Sequence, residues 1–108
     1  MGFRDRKARF LKIKGSCKIV VSRHAFADHP ERGFSPHEIK QLVKTGTGRV
    51  TENRSPESIK DSFLFYPKDS TERECKLVIL LEEIEIEDEY GNSKKESIIV
   101  CGAYRDMG

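Results

Sequence analysis

The chain predicts an α+β fold, with N-terminal helices packed on one face of a mainly antiparallel, curved sheet of about four to five strands. Three observations carry this. Ser35-Pro36-His37-Glu38-Ile39 is a nearly complete helix-start signal. After Gly46 the apolar spacing changes from a helical to an alternating period. Lys76-Leu77-Val78-Ile79-Leu80-Leu81 is then apolar on both faces, as a central strand should be.

Taken in order, residues 3–12 place Phe3, Lys7, Phe10 and Leu11 at helical spacings without a good cap. Residues 17–22 are short and β-branched, bounded upstream by Gly15-Ser16, and read as a strand that delivers His24 to the sheet rim. A short helix is expected over 24–32, closed by Gly33 and bent by Pro30, which lacks a backbone donor. Ser35 is the N-cap of the next helix, Pro36 fills its first position and Glu38 completes the capping box. Phe34 and Ile39 form a hydrophobic staple, Ile39, Leu42 and Val43 the buried stripe, and Gly46 is expected as a left-handed stop. Beyond it, residues 48–51 read as a strand, 53–57 as a turn, and 61–66 as a strand ended by Pro67. The long strand from Lys76 continues as alternating Glu83-Ile84-Glu85-Ile86-Glu87. A two-residue turn at Gly91-Asn92 would set Glu89 opposite Lys94 and Asp88 opposite Lys95, before residues 97–104 return as the last strand.

At 108 residues the expectation is a single domain over 1–108, with 1–14 as a basic N-terminal segment. Apolar residues make up 36% and charged residues 35%, but the apolar ones fall in short periodic runs, which favours folding over disorder. No apolar run reaches about 18 residues and Met1 opens no charged-then-apolar leader, so neither a membrane nor a secretory route is expected and the location reads as cytoplasmic. Cys17, Cys75 and Cys101 are odd in number and widely spaced, as reduced thiols would be. Charge is polarised. Residues 1–60 hold 14 Lys and Arg against 6 Asp and Glu, a net +8, and residues 61–108 hold 6 against 12, a net −6. Arg4, Arg6, Lys7, Arg9 and Lys12, with Arg23, are therefore the expected contacts for an RNA backbone or an acidic partner, the plain alternative being a solvated N-terminus, whereas the acidic run of 82–89 would repel nucleic acid.

The order Ser22-x-His24-Ala25, then Arg32-Gly33-Phe34-Ser35-x-x-Glu38-Ile39, then Gly46 and apolar strands ending in an aromatic, resembles a family of small bacterial domains of unknown function. The similarity spans roughly 18–104. It implies a fold similar to the RelE-type and BrnT-type ribonuclease toxins, and through it a toxin-antitoxin setting, with RNA or the ribosome as target and a cognate antitoxin as partner. The chain departs from the family's pattern where Asp28 and His29, followed by Pro30, stand in place of the Arg-Met pair of many relatives.

If that likeness extends to chemistry, the reaction is metal-independent RNA cleavage, in which a 2′-hydroxyl attacks the adjacent phosphate. His24 is of the residue type suited to general acid or base work. Arg32 would neutralise charge on the phosphorane, and Tyr104 or Arg105 would contact base or phosphate. The simpler alternatives are a hydrogen-bonded structural His24, a solvent-facing His37, an Arg32 that favours a helix dipole and a Tyr104 that packs at the rim. A zinc set of Cys17, His24, His29 and Cys101 matches no usual pair of close ligands, so no metal and no cofactor is assigned. The competing function is a non-enzymatic interaction module that binds a partner protein, or forms a homodimer, through the hairpin over 77–104.

Overall fold

A computed structural model describes residues 2–27, 31, 33–54, 59–69, 71–88 and 91–105, with backbone alone over 83–88, 91–95 and 105. In chain order the elements are α1 (Phe3–Ile13), β1 (Lys18–Val21), α2 (Arg23–Phe26), α3 (Pro36–Thr45), β2 (Gly48–Glu52), β3 (Phe63–Pro67), β4 (Cys75–Asp88) and β5 (Gly91–Arg105). The strands form one five-stranded sheet in the order β1-β5-β4-β3-β2. Its neighbours are antiparallel except β1, which runs parallel to β5 with Ile19 opposite Ile98 and Val21 opposite Val100. The α+β class and the mostly antiparallel sheet expected from the sequence are observed, and the sheet is mixed and open.

Alternation along the strands separates the two faces. Phe63, Phe65, Leu77, Ile79, Ile98, Val100 and Ala103 are fully buried on the face that meets the helices. A bulge makes this set possible: Val78 pairs with Gly102 but Ile79 with Val100, leaving Cys101 as the extra residue. Val100 and Ala103, three apart, therefore reach the same core. From α1, Phe10 meets Phe63 and Phe65 edge-on, with ring centroids 5.3 and 5.0 Å away, and Phe3 stands 6.4 Å from Phe63.

The cap read from the sequence forms: the Glu38 amide donates to Ser35 Oγ at 3.1 Å, and Ile39, Leu42 and Val43 are buried. Gly46 differs from expectation. Its φ of −68° and ψ of 150° are extended, not left-handed. The glycine is needed for room, because a Cβ there would run into the Leu42 carbonyl and the Pro67 side chain. Lys14 supplies the stop instead, its ammonium donating to the carbonyls of Val43, Lys44 and Gly46 at 3.2, 3.3 and 2.8 Å. Burial lowers the pKa of that ammonium.

Other boundaries shift. The helix expected over 24–32 is a single turn, Arg23–Phe26, and residues 28–30 and 32 lie outside the described ones. Gly33 has the left-handed φ of 72° that a glycine permits. β3 begins at Phe63, since Asp61, at φ 66°, still belongs to the turn before it. Of the turn expected over 53–57, residues 55–57 are undescribed. The β4–β5 register is shifted by four residues: Lys94 pairs with Glu85 rather than Glu89 and Asp88 with Gly91 rather than Lys95, so Gly91 and Asn92 are strand residues, and positions 89 and 90 lie outside the described residues. Core burial decided this. In the register centred on Gly91-Asn92, Ile98 and Val100 would stand opposite Glu85 and Glu83, whereas here they meet Leu81 and Ile79.

Candidate functional site

The face of the sheet turned away from α1 and α3 carries a lateral row of four side chains. Arg49 on β2 is the register partner of Tyr66 on β3, and Lys76 on β4 is the partner of Tyr104 on β5. The β3–β4 register, with Phe65 opposite Leu77 and the outlying Lys68–Glu74 bridge, sets Tyr66 beside Lys76. Cation and aromatic thus alternate across four adjacent strands. The Arg49 guanidinium lies 4.3 Å from the Tyr66 ring centre and the Lys76 ammonium 4.6 Å from that of Tyr104. Arg49 also meets Glu74 at 3.0 Å, while Tyr66, Lys76 and Tyr104 are half-buried.

The corner between β3 and β4 holds this register. Both the Thr71 and Arg73 amides donate to Asp69 Oδ1, at 2.9 and 3.0 Å, and the Thr71 hydroxyl donates to it at 2.6 Å. Asp69 is consequently a buried carboxylate spent on the turn. Behind the row, Leu64, Val78, Leu80 and Ile99 are half-buried and Gly102 offers no side chain, so that part of the face is apolar.

His24 is exposed in the first turn of α2, a helix that packs against β5. Its approach is fixed by Ser22, whose amide donates to the Val100 carbonyl at 3.0 Å and whose hydroxyl donates to that of Cys101 at 3.3 Å. The structure therefore docks the turn bearing His24 on the strand bearing Tyr104. Arg32 lies outside the described residues; Arg105 ends β5 opposite Cys75, described by its backbone alone. The N-terminal cations divide around α1. Arg4, Lys7 and Lys12 are exposed, Arg9 pairs with Glu96, and Arg6, with only 14% of its side chain accessible, stands 3.6 Å from Asp61. At about 100° per residue, Arg4 and Lys7 fall on one flank of the helix and Arg9 and Lys12 on the other, so they form no single stripe. Arg23 is exposed beside His24.

Recesses lined by described residues lie elsewhere. One, of about 580 Å³, runs between α3 and Lys68–Asp69 and is also lined by Glu38, with the Asp69 carboxylate engaged in its own turn. Another, of about 380 Å³, is bounded by Arg9, Lys12 and Glu96 and holds Cys17, whose thiol burial pushes up in pKa. Burial likewise raises that of Cys101, and none of the three cysteines is in a disulfide. Among the described residues no cluster of three His, Cys, Asp or Glu is placed to hold a metal ion, and no helix is long and apolar enough to cross a membrane. His29 of the zinc set lies outside them. No family model, curated protein or solved structure matches the chain.

Sequence reasoning named Tyr104 but missed Arg49, Tyr66 and Lys76. Each is an unremarkable residue on the outward phase of its own strand; only lateral pairing makes them neighbours.

Proposed function

We propose that the protein is a small RNA-binding domain, toxin-like in the manner of the RelE and BrnT ribonucleases, that binds RNA across the helix-free face of its sheet. The observation that carries this reading is the alternating row Arg49, Tyr66, Lys76, Tyr104. Phosphates need cations and unpaired bases need flat π-faces, and such a row offers both at strand spacing. α1 adds long-range attraction through Arg4, Lys7 and Lys12.

Cleavage is the activity that fits His24. As a base it would take the proton of a 2′-hydroxyl whose oxygen then bonds to the adjacent phosphorus. The bond to the 5′-oxygen breaks, that oxygen takes a proton from an acid or water, and a 2′,3′-cyclic phosphate is left. No metal enters this step. Incubating end-labelled RNA with the protein in chelator tests it: cleavage products are expected, lost with His24→Ala and with 2′-deoxy substrate. Intact RNA that remains bound would leave a binding domain without turnover.

A second reading rests on a separate observation. β3 pairs only with Leu77–Ile79 of β4 and β1 only with Ser97–Val100 of β5, so among the described residues no strand flanks the ribbon made by 82–88 and 91–96. Two-stranded ribbons are marginal alone. A partner protein or a second copy adding a strand there would complete it, and light scattering with an Ile84→Lys variant reads the difference between dimer and monomer.

A further inference from the structure

Resting on the RNA-binding reading, we infer that the ligand of the helix-free face is an unpaired strand that crosses the sheet at right angles to its strands, with two bases on Tyr66 and Tyr104 and the linking phosphate on Lys76. Tyr66 and Tyr104 lie on β3 and β5, separated by β4. Adjacent strands are about 4.8 Å apart, so the two rings stand on the order of 10 Å apart. Stacked bases in a duplex follow one another at about 3.4 Å, roughly a third of that spacing. Two bases can occupy both rings only if they are unstacked and splayed. A single strand does this readily, whereas a duplex keeps its base faces inside its own stack.

The position of the cations agrees. Lys76 stands between the two tyrosines, where the phosphate joining two splayed nucleotides passes, and Arg49 stands beyond Tyr66, where the next one leaves. In the unliganded protein each cation lies over its tyrosine. On binding, the base takes the ring face and the cation turns to the phosphate. At Lys76 the exchange gives up a surface cation–π contact, which is weaker than base–aromatic stacking, and favours the complex; Arg49 gives up its exposed ion pair with Glu74 as well, so Lys76 is the main phosphate contact. Around the rings Leu64 and Val78 are apolar and Gly102 bears no side chain, and the polar neighbours Thr51, Lys68 and Glu74 lie at the edge of this patch with Glu74 engaged by Arg49, so stacking rather than base-edge readout dominates. Binding is therefore tolerant of sequence and intolerant of pairing.

Tyrosine itself reports the outcome, because the chain has three tyrosines and no tryptophan. The experiment titrates the protein with an eight-nucleotide oligouridylate and with a blunt RNA hairpin of equal charge, following anisotropy and tyrosine emission. The single strand is expected to bind with quenched emission, and the hairpin at least about 10-fold more weakly without it. Tyr66→Leu and Tyr104→Leu should each weaken the single strand by about 10-fold, with Lys76→Gln lowering the salt dependence by about one charge. Tyr66→Trp and Tyr104→Trp keep a ring and should keep binding, each giving a tryptophan signal quenched at its own site. Should the leucine variants fail to fold, the tryptophan pair decides alone. Equal binding of hairpin and single strand, or unquenched tryptophan at either site, overturns the inference and leaves RNA binding standing. Failure to bind either RNA overturns both and leaves the protein-partner reading.

Discussion

The two faces of the sheet are built from the same strands by the same alternation, yet they do different work. On the helix side, Phe63, Phe65, Leu77 and Ile79 are sealed under Phe10 and α3. On the other side their immediate neighbours in sequence, Leu64, Tyr66, Lys76 and Val78, remain half-exposed. A fold needs only one covered face. The residues on the uncovered one are freer to answer to a ligand, and this is where cations and aromatics alternate.

The comparison breaks most visibly in stability. Phe65→Ala should cost about 3–5 kcal/mol, because the ring is fully buried against Phe10 and nothing can collapse into its place. Urea denaturation reads it; a cost under 1 kcal/mol would mean that the helix-covered face is not the core. Tyr104→Leu, on the same sheet, should stay within about 1 kcal/mol by the same measurement while binding single-stranded RNA about 10-fold more weakly. Next in size is Lys14→Met, which takes the ammonium from three carbonyls at the end of α3 and should cost about 1.5–3 kcal/mol. Ser35→Ala removes the cap of the same helix at its other end for about 1 kcal/mol, and thermal melting resolves both.

Much of the covered face was legible in the chain, since burial leaves a period in sequence. Ser35-Pro36-His37-Glu38 located the start of α3, and Phe63 to Phe65 and Leu77 to Leu81 showed their strands. What misled was local chemistry set against packing. Gly91-Asn92 reads as a turn, but pairing Ile98 and Val100 with Leu81 and Ile79 placed the turn elsewhere. Gly46 reads as a left-handed stop, but Lys14, distant in sequence, made that conformation unnecessary. The open face was nearly illegible. Arg49 and Tyr104 lie far apart in the chain, and sheet order alone brings them into one row; the basic residues that stood out in the sequence are instead split around α1, two of them beside acidic partners.

The smallest expected effect concerns the thiols. Burial raises the pKa of Cys17 and Cys101, so at pH 8 less of each is thiolate than in a free cysteine. Alkylation by iodoacetamide should be slower than for a free thiol at that pH and accelerate at pH values above those where a free thiol already reacts. Rates equal to those of free cysteine would mean that these thiols meet solvent.

Amide chemical-shift mapping during titration with single-stranded RNA tests the division between the faces most directly. The largest perturbations should fall at Arg49, Tyr66, Lys76 and Tyr104, with Phe10, Phe65 and Leu77 little changed. Shifts confined to Arg4, Lys7 and Lys12 on α1, or absent altogether, would contradict the assignment of the helix-free face as the RNA-binding surface.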